Sequence, residues 1–160
     1  MKQIGVEALV LGKDPDTRGS RALGPEWVDV LRDIPLFATL SKRQVRKIAN
    51  LAKPQRFAQA APIVRRGERG ETFFLILDGE ATLSLPGRKH RVLRAGDWFG
   101  ELALLDGGPR SATVTARSPL LAMRIARRPF LKLLASDSQL SLGILRGLAE
   151  RLRAADTDPG

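Results

Sequence analysis

The sequence contains no cysteine and only one histidine, His90. Without cysteine there is no disulfide framework, no thiolate nucleophile and no cysteine-based metal site. A single histidine nearly excludes metal chemistry. It also removes the commonest general base, so any enzymatic function would have to rest on carboxylates. We therefore predict a protein without a metal or a cofactor.

Long apolar runs are also missing. No uninterrupted stretch approaches the roughly 20 residues that a membrane span needs, and 43% hydrophobic with 28% charged residues is ordinary for a soluble protein. The first 20 residues are polar and interrupted by Gly, Pro and Asp, so they lack the apolar core of a secretory signal. The sequence therefore predicts a cytoplasmic protein with no membrane span.

Acidic residues are outnumbered. The chain has 27 Lys and Arg against 17 Asp and Glu, a formal net charge of +10. Such a charge favours acidic partners such as nucleotides, nucleic acid or anionic lipid. A compositional preference for arginine explains the excess equally well, so the charge alone does not select a partner.

A length of 160 residues suits one domain with helical additions. Residues 1–24 are predicted to be a flexible leader, residues 25–155 the domain and residues 156–160 a tail. Within the domain, residues 25–53 are predicted to be helical. A short helix is expected at "PEWVDVLRD", and a second should start at Ser41, where Gln44 completes a capping box, and stop before Pro54.

Residues 54–127 change to a period of two, in short segments separated by Gly and Pro, which predicts many short antiparallel strands. Asp78-Gly79 is typical of a type I′ hairpin. Residues 128–155 return to helical spacing: Pro129 opens one helix, and a second follows with Leu140, Ile144, Leu148 and Leu152 on one side. The predicted fold is mainly β with flanking helices, an antiparallel β-roll or jelly roll.

The run "WFGELALLDGGPRSATV", residues 98–114, places Glu101 and Arg110 among small and apolar residues. "GELALL" predicts a short helical turn whose first amides can bind an anion, and Arg110 with Ser111 would bring further donors to a phosphate. Glu101 would be repelled by a phosphate and suits a ribose hydroxyl. Together they indicate a nucleotide. The alternative is a surface Glu101–Arg110 ion pair worth about 0–1 kcal/mol.

This run closely resembles the phosphate-binding cassette of the cyclic nucleotide-binding domain family, which reads Phe-Gly-Glu-Leu-Ala-Leu, a short insert, then Pro-Arg-Ser/Thr/Ala-Ala-Thr-Val. The resemblance extends to "LRDIPLFATLSKRQVRKIANLA" as an N-terminal helical element, to "RRGERGETFFLILDGE" as early β-roll strands and to "RRPFLKLL" as a hinge helix. It covers about residues 28–155. It implies that the two C-terminal helices are a hinge helix and a lid helix.

The resemblance implies separate roles for the two charges, with Glu101 on the ribose 2′-hydroxyl and Arg110 on the exocyclic oxygens of the cyclic phosphate. It implies further contacts to phosphate and sugar from Gly100, Leu102, Ala103, Ser111 and Ala112. For the lid over the purine it implies Arg151, with Leu148 and Leu152 as apolar alternatives. A solvated Arg151 on an amphipathic helix is the competing interpretation.

Two positions depart from the family pattern or play no part in it. Where family members commonly carry a glycine after the first strand, this chain has Ala60 and Pro62, which leaves the geometry of that turn open. His90 is expected to be a surface strand residue with no ligand or catalytic role.

The resemblance implies a non-catalytic sensor that responds to a cyclic nucleotide and acts on an effector outside this chain. We also predict a monomer without specific nucleic-acid binding. The "PRSATV" run is similar to that of bacterial members, which favours cAMP, with cGMP binding more weakly. Ligand binding would shift the population towards a closed lid helix. Leu104 and Phe130 are candidates to transmit the change, and an ordinary core role fits them equally well.

Two rival classes are weighed against the sensor. A cupin-type enzyme shares the small β-barrel but needs several inward histidine and glutamate ligands. A module that kept the fold and lost the ligand would leave Glu101 and Arg110 without a function.

Overall fold

The computed structural model describes residues 25–157, so the predicted leader and the last three residues of the predicted tail lie outside it. The described residues form two compact units. Residues 52–127 make a β unit, and residues 25–51 with 128–157 make a helical unit.

Helices stand at both ends of the described chain, and the strands between them are interrupted by one short helix. The described helices are α1 (Pro25–Asp33), a 3-10 helix (Pro35–Phe37), α2 (Lys42–Ala49), α3 (Ala103–Asp106), α4 (Arg127–Ser136) and α5 (Ser138–Thr157). The described strands are β1 (Lys53–Phe57), β2 (Pro62–Val64), β3 (Thr72–Asp78), β4 (Ala81–Ser84), β5 (Arg91–Leu93), β6 (Trp98–Phe99), β7 (Thr113–Ala116) and β8 (Leu120–Ala126).

The β unit contains two four-stranded antiparallel sheets, ordered β1-β8-β3-β6 and β2-β7-β4-β5. Strand β3 lies inside the first sheet and buries five consecutive residues, Phe73 to Leu77. Phe74 anchors the core, stacking on Phe99 with ring centroids 5.2 Å apart and meeting Phe57 edge-on at 6.0 Å. These features confirm the predicted β-roll with flanking helices.

The predicted type I′ hairpin at Asp78-Gly79 is wrong. Strands β3 and β4 belong to different sheets, so the turn carries the chain from one sheet to the other. Only Gly79 has a positive φ, +89°, whereas a type I′ turn needs two such residues. A Cβ at Gly79 would collide with the Pro119 carbonyl oxygen and lie 2.9 Å from the Leu120 Cα. This position therefore needs a glycine because the backbone of Pro119 and Leu120 passes so close to it.

A left-handed residue does occur at the turn where the sequence departs from the family pattern. Ala60 has φ +69°, a conformation that glycine adopts without steric cost. Backbone bonds hold it: the Ala60 amide donates to the Ala116 carbonyl at 2.8 Å, and the Ala116 amide donates to the Ala61 carbonyl at 2.9 Å. The turn therefore keeps a glycine-type geometry with an alanine in it.

Helix α2 begins as the sequence predicts. Ser41 is its N-cap, and the Ser41 hydroxyl and the Gln44 side chain form the reciprocal bonds of a capping box. Its buried residues, Val45, Ile48 and Ala49, are spaced for one helical face. The helix ends at Ala49, and Pro54 lies in strand β1.

In the helical unit the 3-10 helix packs against α4 and α5. Phe37 of the 3-10 helix and Phe130 of α4 have ring centroids 6.2 Å apart, and both are fully buried. A Cβ at Gly147 would lie 3.0 Å from the Leu36 carbonyl oxygen, so this glycine allows close packing. Helix α4 begins at Arg127, two residues before Pro129, and α5 extends to Thr157. Among residues 25–157 we find no helix long and apolar enough to span a membrane.

Candidate functional site

The cassette, defined here as residues 99–114, begins where β6 ends. Gly100 adopts φ +84°, and Glu101 and Leu102 form a turn before α3 starts at Ala103. The helix therefore begins later than the sequence predicts, and it has only four residues. Gly107, with φ +62°, ends it in the left-handed conformation typical of a helix C-terminus.

Arg110 is fixed through its backbone to the loop before β3. Its amide donates to the Glu68 carbonyl at 2.8 Å, and its carbonyl accepts from the Gly67 amide at 2.9 Å. The Gly70 amide donates to the Gly108 carbonyl at 2.9 Å. The loop of residues 65–70 and the second half of the cassette are thus paired.

The Arg110 side chain is held by a hydrogen bond and by packing against two glycines. Its Nη2 donates to the Thr72 carbonyl at 2.7 Å. A Cβ at Gly70 would lie 2.9 Å from Nε and 3.0 Å from Cζ, and a Cβ at Gly100 would collide with Nη1. The guanidinium is therefore packed against two positions that only glycine can occupy without displacing it.

Burial lowers the pKa of Arg110 from its ordinary value, because removing the guanidinium from water disfavours the charged form. The group still carries its charge, since arginine is not deprotonated in proteins. A half-buried cation whose hydration is incomplete is stabilised by an anion placed against it. Its planar fork of donors suits the paired oxygens of a phosphate.

A pocket of about 310 Å³ opens beside this guanidinium. Its volume lies at the lower end of the range for small-molecule sites. It is lined by Ile63, Val64, Arg65, Glu68, Arg69, Glu71, Thr72, Phe74 and Arg110. Two exposed ion pairs, Arg65–Glu68 at 4.0 Å and Arg69–Glu71 at 3.6 Å, contribute polar groups to the lining.

The other predicted ligand residues follow the cassette backbone. Glu101 and Ala112 are half-buried, Ser111 is exposed, and Ala103 is buried in the first turn of α3. Leu102 is 46% exposed. Gly100 lies against the Arg110 guanidinium, as described above. The ligand roles of all these residues remain predictions.

The predicted lid residues lie on α5, in the helical unit. Arg151 and Leu148 are half-buried, and Leu152 is 68% exposed. Leu104 and Phe130, the candidate transmitting pair, are both fully buried in their own units. The lid and the transmitting pair also remain predictions. His90 is exposed, as expected, but it lies in the loop before β5 instead of in a strand.

Sequence reasoning missed the residues that support Arg110. Thr72 contributes a backbone carbonyl, which no side-chain pattern can reveal. Gly70 lies in the run predicted to form early strands, although the two glycines of "RRGERG" indicate a turn. Within residues 25–157 no group of three or more His, Cys, Asp or Glu side chains is arranged to hold a metal ion.

Comparison with known proteins identifies the family of this chain. The profile of the cyclic nucleotide-binding domain matches residues 54–137. A cAMP-dependent protein kinase regulatory subunit from Colletotrichum orbiculare is 33% identical over 136 residues, 84% of this chain and 33% of that protein. A cGMP-dependent protein kinase from Toxoplasma gondii is 38% identical over 97 residues, 61% of this chain and 10% of that protein.

A solved structure extends the comparison to the fold. The N-terminal domain of a transcriptional regulator from Streptomyces coelicolor A3(2) superimposes with a TM-score of 0.69 and 26% identity, covering 82% of this chain and all of that one. The chain spans about a third of the fungal relative and a tenth of the Toxoplasma kinase. The chain belongs to the cyclic nucleotide-binding domain family, and the resemblance found in the sequence is confirmed.

Proposed function

We propose that the β unit binds a cyclic nucleotide, cAMP in preference to cGMP, and that the chain is a non-catalytic sensor. The observation that carries the proposal is the Arg110 guanidinium, anchored on the Thr72 carbonyl at 2.7 Å. Arg110 is the one cassette residue that lines the pocket of about 310 Å³. Arg110 would hold the exocyclic oxygens of the cyclic phosphate. Glu101 would accept a hydrogen bond from the ribose 2′-hydroxyl.

The physical case for Arg110 rests on where its charge is held. A guanidinium fixed before the ligand arrives loses little side-chain entropy on binding, and its incomplete hydration is offset by the phosphate. The Gly100 and Ser111 regions would add backbone donors close to the same charge. These features support one phosphodiester at this position.

The preference for cAMP rests on the "PRSATV" run, which is similar to that of bacterial members, and the relatives by themselves do not decide it. The fungal relative is named as a cAMP-dependent kinase subunit and the Toxoplasma relative as a cGMP-dependent kinase, so relatives of both kinds exist. Ser111 is the position where family resemblance links threonine to guanine and alanine to adenine. We expect Ser111→Ala to raise, and Ser111→Thr to lower, the ratio of cAMP to cGMP affinity.

The response we propose is a population shift of the C-terminal helices. Arg151, with Leu148 and Leu152 as alternatives, would cover the purine from α5, and Leu104 with Phe130 would transmit the change. The output would be delivered to an effector outside this chain. The match to the N-terminal domain of a transcriptional regulator and to kinase subunits supports such an arrangement.

Calorimetry on Arg110→Ala tests the site. Truncating one partner of a buried charge pair costs roughly 2–5 kcal/mol, so we expect cAMP affinity to fall by at least about 30-fold. Arg88→Ala is the matched control, because Arg88 is exposed in the β4–β5 loop. Equal cAMP binding by the wild type and Arg110→Ala would overturn the assignment. A wild type that binds neither nucleotide would favour the module that has lost its ligand.

The ribose contact has its own test. Glu101→Gln should weaken cAMP binding, and 2′-deoxy-cAMP should bind the variant and the wild type with nearly equal affinity. If the deoxy nucleotide is as sensitive to the substitution as cAMP, Glu101 does not recognise the ribose.

A further inference from the structure

Arg127 is the first residue of α4, and its side chain contacts the C-terminal end of the cassette helix α3. Its Nη2 donates to the Leu105 carbonyl at 3.0 Å, in the last turn of α3. Its guanidinium also covers the glycine that ends α3, since a Cβ at Gly107 would lie 3.2 Å from Nε and 3.3 Å from Cζ. One side chain thus contacts both the final turn of α3 and its C-terminal glycine.

Helix α3 depends on such outside contacts. With four residues it is far shorter than the roughly 12–15 that an isolated helix needs to be even marginally stable. The carbonyls at its C-terminal end carry partial negative charge and lack intrahelical donors. A cation that donates to one of them both satisfies the carbonyl and opposes the helix dipole. Arg127 therefore contributes one of the contacts that hold the cassette helix in place.

The backbone of Arg127 meets the other side of the site. Its amide donates to the Glu71 carbonyl at 2.9 Å. The next carbonyl along the chain, that of Thr72, accepts the hydrogen bond from Arg110 Nη2. Arg127 thus holds the cassette helix with its side chain and the support of Arg110 with its backbone.

A packing role alone does not account for an arginine here. The Arg127 Nε is buried and has no hydrogen-bond partner among the described residues. Leaving a buried donor without a partner destabilises the folded state. An apolar side chain would avoid that cost but would leave the Leu105 carbonyl without its donor.

We propose that Arg127 is a positioning residue of the nucleotide site, and that it makes ligand affinity and the state of α4 depend on each other. The inference rests on the proposed function. Ligand contact at the cassette shifts α3, the Arg127 guanidinium follows the Leu105 carbonyl, and α4 responds because Arg127 is its first residue. The polar link is distinct from the apolar pair Leu104 and Phe130.

The test compares Arg127→Gln with Arg128→Gln in the full chain. Arg128 is the next residue of α4 and is exposed, so it is a matched control. Calorimetry gives the cAMP affinity, and NMR gives the ligand-induced shifts of amides in residues 100–112 and in α5. We expect Arg127→Gln to weaken binding by about 5- to 150-fold, the usual range of coupling between sites. Its α5 amides should lose most of their response at saturating cAMP, while its cassette amides keep theirs.

An Arg127→Gln variant that binds cAMP and shifts the α5 amides as Arg128→Gln does would overturn the proposal. A wild type that binds no cyclic nucleotide would instead overturn the proposed function. Should Arg127→Gln fail to fold, the proposal is tested on the wild type by the NMR signals of the arginine side-chain Nε–Hε groups. The Arg127 resonance should move on cAMP addition while that of Arg128 stays in place, and an Arg127 resonance that does not move would refute the link.

Discussion

At Gly100 the lack of a side chain makes room for a functional group. A Cβ there would collide with Arg110 Nη1 and lie 2.8 Å from the Thr72 carbonyl oxygen, the acceptor that anchors the same guanidinium. The residue also has φ +84°, where any side chain is strained. Gly100 is therefore constrained twice, once by backbone conformation and once by the arginine.

Gly100→Ala should separate these two constraints when compared with Gly96→Ala. Gly96 has φ +92°, and a Cβ added to it would have no other atom within 4 Å, so its substitution adds only backbone strain. Gly96→Ala should lose about 1–2 kcal/mol of unfolding free energy in urea titrations. Gly100→Ala should lose more, because its Cβ would also lie 2.8 Å from the Thr72 carbonyl oxygen. Only Gly100→Ala should also lose cAMP affinity in calorimetry. Equal affinities in the two variants would mean that Gly100 does not position Arg110.

Ala60 offers the opposite experiment. It occupies a left-handed conformation, φ +69°, that costs an alanine roughly 1–2 kcal/mol, whereas glycine pays only the extra entropy of its unfolded chain. We expect Ala60→Gly to raise the unfolding free energy by about 1 kcal/mol. Ala58→Gly, two residues earlier and exposed, should lower it by about 0.4–1 kcal/mol. A destabilised Ala60→Gly protein would contradict the assigned turn geometry.

The sequence predicts candidate ligand residues, but it does not predict the groups that support them. Arg110 and Glu101 stood out because charged side chains in an apolar run are a visible pattern. The Thr72 carbonyl and the Leu105 carbonyl, which bind Arg110 and Arg127, could not be found this way, since every residue has a carbonyl. Their positions follow only from tertiary pairing.

At the scale of whole elements, Asp137 joins two helices of the helical unit. Its Oδ1 accepts from the Leu140 amide at 3.1 Å in the first turn of α5, and its Oδ2 accepts from Lys47 Nζ of α2 at 2.6 Å. The hydrogen bond from Lys47, followed by that from the Leu140 amide, lowers the pKa of Asp137 from its ordinary value. The ionised carboxylate therefore stabilises the folded state.

The sign of the pH effect follows from that lowered pKa. The unfolded chain binds the Asp137 proton more readily than the folded chain, so the stabilisation is present above the ordinary pKa of about 3.9 and is lost as the pH falls through the folded value. Asp137→Asn should lower the melting temperature at pH 7, and its difference from the wild type should shrink towards pH 3. Lys47→Met should act on the same interaction, so the double variant should be less destabilised than the sum of the two. A pH-independent difference would refute the assignment.

Element boundaries show where local pattern is sufficient. The start of α2 was predictable because a capping box is a local motif of four residues, Ser41 to Gln44. The β3–β4 connection was not, because Asp-Gly is equally compatible with a hairpin and with a passage between sheets. The choice is made by Pro119 and Leu120, which approach Gly79 from a distant part of the sequence.

At the scale of the whole molecule, the question is whether the two units respond to one ligand together. The chain has two tryptophans, and each unit contains one: Trp27 lies in α1 and Trp98 in β6. Trp98→Phe leaves a fluorescence reporter in the helical unit, and Trp27→Phe leaves one in the β unit. Ligand-linked stability can therefore be followed in each unit by itself.

Ligand bound only to the folded state at 100 times its Kd adds about 2.7 kcal/mol to the unfolding free energy. If cAMP binding is coupled to α4 and α5, the Trp27 and Trp98 reporters should both give transitions shifted by that amount. Adenosine, which lacks the phosphate for Arg110, should shift neither. A shift seen by Trp98 alone would mean that the β unit binds cAMP without engaging the C-terminal helices. Binding and response would then be separate properties, and the population shift would have to be abandoned even though the nucleotide site stood.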